Sequence, residues 1–123
     1  MAMPLVIIES PYAGKSLDDL AANITYARRC LRNSVLLGEA PIASHLLYTQ
    51  PGVLDDLIPE ERELGIQCGL AWSHMADYHV FYTDKGWSPG MTAAFRFVRR
   101  HFQEYRIRAL FGEPQMLSEE ELK

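Results

Sequence analysis

A chain of 123 residues, 48% hydrophobic and 23% charged, is long enough for one domain with one core and has the composition of a globular protein. Its formal net charge of −4 argues against nonspecific binding of nucleic acid. No apolar run approaches the ~18 residues of a membrane span, and the first ten residues lack the basic region of a signal peptide and run straight into Pro11. The two cysteines, Cys30 and Cys68, fall inside helical segments without metal-ligand spacing, so they read as buried thiols of a protein in a reducing, cytoplasmic compartment.

The first element is Leu5 to Glu9, a continuous apolar run typical of a strand covered on both faces. A loop over Ser10 to Ser16 leads into a long helix, in which Leu17, Leu20, Ile24, Ala27, Leu31 and Val35 recur at spacings of three and four. Ser16 with Asp19 matches a capping pattern, and Gly38 suits the C-terminal stop. Ala40 to Ala43 is a short second strand, and Leu46 to Ile58 reads as loop with a helical turn. Pro59 opens another helix with Leu64, Cys68, Ala71 and Met75 on one side; Gly65 and Gly69 weaken it by ~1 kcal/mol each and point to close approach of a neighbour. His79 to Thr83 is the third strand, Pro89 to His101 the third helix, and Arg106 to Phe111 the fourth strand. From Gly112 the composition shifts to an acidic tail, expected to be mobile.

The alternation β-α-β-α-β-α-β predicts a single α/β domain over residues 1–123, with a mostly parallel sheet of four or five strands in the order 2-1-3-4 and helices on both faces. That order puts a switch point between strands 1 and 3, where open α/β sheets bind ligands. The loops Ser10–Ser16 and Asp84–Ser88 should share one cleft, lined by Ser10, Tyr12, Gly14, Asp84 and Ser88. Asp84 stands at the end of the third strand, facing a helix start built from Ser88, Pro89 and Gly90. The GKS of Gly14–Ser16 does not make a P-loop, because the glycine needed five residues earlier is Glu9. His45 could hydrogen-bond a ligand or shuttle a proton. Glu60, Glu61 and Glu63 suit a helix N-terminus, while Glu61 and Arg62 could also reach the cleft from the side. His74, His79 and His101 form no metal motif, so neither a metal nor a cofactor is expected.

The segments IIESPYAG, APIASHLLYT, ERELGIQCGLAW and ADYHVFYTDKGWSPGM, in this order over roughly Leu5 to Ala94, resemble the nucleoside 2-deoxyribosyltransferase-like superfamily, in particular its small phage and bacterial members. The resemblance implies a Rossmann-like three-layer domain that binds a nucleoside or nucleotide in a bacterial or phage-infected cytoplasm. It implies cleavage or exchange of the N-glycosidic bond, and a homodimer or higher homo-oligomer in which a neighbour completes the site. The catalytic members carry a glutamate nucleophile on the helix after strand 3; the matching stretch here, GWSPGMTAA, holds Gly90 or Met91 at that position, and an aspartate of the preceding helix is matched by Gly69. Such chemistry needs a carboxylate at the anomeric carbon and an acid for the leaving base. Glu61, Glu39 and Asp84 are the expected substitute carboxylates, with Ser10, Tyr12, Gly14, His45, Arg62, Gly86, Ser88 and Gly90 binding the ligand. The alternative is a non-catalytic nucleotide-binding protein, such as a sensor or a phage protein that sequesters a nucleotide signal. The aromatic load of Trp72, Phe95, Phe97 and Phe102 is expected to be shared between core and an isologous dimer interface.

Overall fold

The computed structural model describes residues 2–122. Four strands, β1 (Leu5–Glu9), β2 (Ala40–Ile42), β3 (Tyr78–Tyr82) and β4 (Tyr105–Arg108), form one sheet in the order β2-β1-β3-β4, and every neighbouring pair is parallel. Helices α1 (Leu17–Leu36), α2 (Ser44–Leu47), α3 (Pro59–Ser73) and α4 (Pro89–Arg100) make the crossovers. The architecture is the expected α/β, Rossmann-like sandwich with β1 and β3 central.

Strand alternation divides the core in two. Val6, Ile8, Val80 and Tyr82 face α1 and meet Tyr26 and Cys30. Phe81 faces the other way and packs with Met91, Phe95 and Val98 of α4. Burial pushes the Cys30 thiol up to about 12, so it is an inert packing group; Cys68 is only half-buried. Phe95, expected to be divided between core and interface, is a core residue whose ring meets Phe81, Trp87 and Tyr105 edge-on.

Three strands differ from the sequence reading at their ends. The second stops at Ile42 instead of Ala43, because the short α2 begins at Ser44, ahead of the loop expected from Leu46. The third strand runs one residue earlier, over Tyr78–Tyr82. The fourth strand spans Tyr105–Arg108 instead of reaching Phe111, because the Leu110 and Phe111 N–H groups turn away to the Asp84 carboxylate, each at 2.9 Å. The C-terminal segment is tied down: Trp87 Nε1 donates to the Gln115 carbonyl at 2.7 Å, and Leu117 and Leu122 pack on the α4 core. Among the described residues, no helix is long and apolar enough to cross a membrane.

Candidate functional site

Helix α3 is the loosest part of the sandwich. Its apolar residues do not gather into one stripe; Ser73 alone is buried, while Leu64, Ile66 and Trp72 are about half exposed. It therefore stands off from α4, and the gap between the two helices is a cavity of about 630 Å³ over the C-terminal end of β1 and over His79 near the start of β3. This volume is in the usual range for a small-molecule site. Glu9 and His79 form its floor. Ile66 and Leu70 of α3 face Met91, Ala94 and Phe97 of α4 across it, and Ser10, Tyr12, His45, Ser88 and Gly90 stand around it. Glu61 and Arg62 reach it from the first turn of α3, as expected.

Each polar group is held by a local device. Asn23 of α1 donates to the Tyr12 carbonyl at 3.0 Å, which pins the loop after β1. Ser10 Oγ lies 2.9 Å from His45 Nε2, and the Tyr12 ring meets the His45 ring edge-on, with centroids 6.0 Å apart. Burial pushes the His45 imidazole below its ordinary range, partly countered by the Glu9 charge, so it is a neutral hydrogen-bonding group at neutral pH. Ser88 caps α4 by accepting from the Met91 N–H at 3.2 Å, and Pro89 occupies the first turn. Glu61 Oε1 accepts from the Asp55 N–H at 3.1 Å, and Arg62 lies 3.6 Å from Asp56.

Four sequence-predicted site residues lie elsewhere. Gly14 lines an adjoining groove of about 860 Å³ with Lys15, Ser16 and the 49–57 loop; the two hollows share Tyr12, Ala13, Thr49, Leu54, Asp56 and Glu61. Gly86 supplies a left-handed turn residue (φ 83°) facing Gln115 instead of the cavity. Asp84 points to the other face of the sheet. Its carboxylate accepts from the Tyr26 hydroxyl at 2.5 Å and from the two β4-loop amides, so it ties that loop to α1. Burial acts to raise its pKa, but the hydrogen bonds from Tyr26, Leu110 and Phe111 outweigh it and hold the carboxyl below its usual range.

Glu39 is likewise structural. It is buried behind α1 and accepts from Ser34 Oγ at 2.7 Å, from the Tyr78 hydroxyl at 2.5 Å, and from both Arg108 nitrogens at 2.9 and 3.0 Å. The Arg108 guanidinium, aided by Tyr78 and Ser34 against the cost of burial, holds this carboxyl down at about 2. Tyr82 completes the network by accepting from Arg108 and donating to Asn33 at 2.7 Å.

In place of these acids the fold brings forward Glu9, which the sequence reading does not count among the site residues. Its Oε1 lies 3.2 Å from His79 Nδ1, and His79 Nε2 lies 2.6 Å from Ser73 Oγ at the end of α3. The available signal was an acidic residue closing an otherwise apolar buried strand, the same signal that had singled out Asp84. Among the described residues, no group of three His, Cys, Asp or Glu side chains is placed to hold a metal ion.

Residues 4–108 match the model of a family described as a domain of unknown function (DUF7768), which covers most of the chain, and the chain belongs to that family. No curated protein and no solved structure gives a match.

Proposed function

We propose that this DUF7768 domain binds a nucleoside or its monophosphate in the α3–α4 cleft and cleaves or exchanges the N-glycosidic bond. The observation that carries the reading is the cavity's division into apolar walls and a polar end. Ile66, Leu70, Met91 and Phe97 offer a slot for a flat base, while Glu9, Ser10, His45 and Glu61 offer acceptors and donors for a sugar. Glu9 and Glu61 are the carboxylates able to meet an anomeric carbon with oxocarbenium character. Arg62 and the first turn of α4 favour an anionic group such as a phosphate. The resemblance to the nucleoside 2-deoxyribosyltransferase-like superfamily supports the same ligand class.

A second reading, a non-catalytic nucleotide binder of bacterial or phage origin, is favoured by one observation. The position matching the family nucleophile falls at Gly90 or Met91, and Glu61 is occupied with the Asp55 amide. Incubation with a panel of deoxynucleosides and monophosphates, followed by chromatography, separates the two. Released or exchanged base supports the enzyme. Intact ligand with a raised melting temperature supports the binder, and neither effect with any member of the panel removes both. The reading includes a homodimer, supported by the exposed Leu64, Ile66 and Trp72 of α3; a strict monomer by light scattering at micromolar concentration would refute that part.

A further inference from the structure

With the oxygen of the Gln103 amide toward Ser73, the hydrogen bonds beneath the cleft set a proton count. Ser73 Oγ donates to Gln103 Oε1 at 3.2 Å, and an amide oxygen can only accept. The single hydroxyl proton of Ser73 is thereby used, so in the 2.6 Å contact with His79 the serine accepts and Nε2 carries hydrogen. A neutral imidazole with hydrogen on Nε2 has a bare Nδ1. That nitrogen lies 3.2 Å from Glu9 Oε1, and an ionised carboxylate there would set one unprotonated acceptor against another. In that amide orientation one more proton lies between them, either on Glu9 or on Nδ1 of an imidazolium. The His79 side chain is 4% exposed and that of Glu9 19%, so the carboxyl is the member of the pair that opens toward the cavity.

We propose that Glu9 and His79 share one transferable proton at the floor of the cleft, and that this proton is delivered to the leaving base. The inference deepens the nucleoside reading and rests on it for the identity of the acceptor. As the C1′–N bond breaks, its electron pair stays with the base nitrogen and the base takes the dyad proton. Water then adds hydroxide to the anomeric carbon and returns its remaining proton to Glu9, so that nucleoside plus water gives free base plus sugar and the dyad is restored. Ser73 and Gln103 act through His79 as positioning residues, because they decide which ring nitrogen faces Glu9. Tyr12, His45, Tyr48, Glu61, the Asp56–Arg62 pair, Arg96 and Arg100 are the other charged or titratable groups along the cavity that set the field around this proton.

The test has two arms. In protein labelled with ¹⁵N-histidine, with His74→Gln and His101→Gln removing the two exposed ring signals, His79 should show hydrogen on Nε2 and a proton bridging Nδ1 at neutral pH. A bare, unbridged Nδ1, or a hydrogen on Nδ1 with none on Nε2, would overturn the dyad. In Glu9→Gln the amide can still donate to Nδ1 and keep the fold, but it has no proton to give. Base release from a cleaved deoxynucleoside should fall ~100-fold or more while the thermal shift by that deoxynucleoside persists. Undiminished release would overturn the assignment. If the wild-type protein neither binds nor cleaves any deoxynucleoside, the nucleoside reading and the delivery step fall together, and the first arm still decides the dyad.

Discussion

On the face covered by α1, Glu39 is met by an arginine fork, two hydroxyls and a closed helix. On the opposite face, Glu9 is met by one imidazole and an open cleft. Both are glutamates beside a basic partner on the same small sheet. The difference lies in the covering element. Helix α1 buries Tyr26, Ala27 and Cys30 and seals its side, while α3 buries Ser73 alone and leaves its side unsealed. A saturated carboxylate holds the structure together, whereas an incompletely covered one is available to a ligand. Among the described residues, no buried side-chain nitrogen or oxygen lacks a hydrogen-bond partner, so the closed side has little left to offer a substrate.

The comparison breaks hardest at Arg108. Replacing it by leucine strands the buried Glu39 carboxylate and should cost roughly 3–4 kcal/mol of unfolding free energy in a denaturant titration. The folded fraction should keep its ligand affinity, since neither residue lines the cleft. Acid should expose the same device. The Glu39 carboxyl is held from 4.5 down to about 2, so its contribution is complete above pH 4.5 and is lost as pH falls through that window. The loss should reach about 3 kcal/mol, with depressed Asp84 acting in the same direction; Glu39→Gln should flatten the wild-type slope below pH 4.5.

Asp84→Asn should cost about 2 kcal/mol, because an amide group would then face the Leu110 or Phe111 N–H, and ligand binding should not change. A tenfold loss of affinity at unchanged stability would return Asp84 to the site. On the open side, Ser10→Ala removes one partner of His45 and should cost about 1 kcal/mol or less in stability while weakening ligand binding several-fold. Equal losses from Ser10→Ala and Arg108→Leu would erase the distinction between the two faces.

The sheet order was legible because each strand is a short apolar run and each crossover a periodic helix, which leaves few right-handed parallel arrangements. Loop addresses followed from that order, so Ser10, Tyr12 and Ser88 were placed beside one hollow without knowledge of any side chain. Side-chain direction was not legible. Asp84 follows Thr83 at a strand end, and whether such a residue serves the ligand or the β4 loop depends on which amides arrive from Leu110 and Phe111, 26 and 27 positions later. Glu39 was misread for the same reason, since its partner Arg108 lies 69 residues away. Glu9 was passed over because its meaning depends on a diagonal side-chain contact with His79, 70 residues away.

Gly69 of α3 leaves just enough room for Ser44 at the start of α2: a Cβ there would stand 2.8 Å from the Ser44 hydroxyl. Any side chain at this position therefore competes with Ser44 for the same space. Gly69→Asp would drive α2 outward and carry His45 with it, away from Ser10. The close seat of α2 on α3 thus keeps His45 beside Ser10, and it lasts only while position 69 carries no side chain.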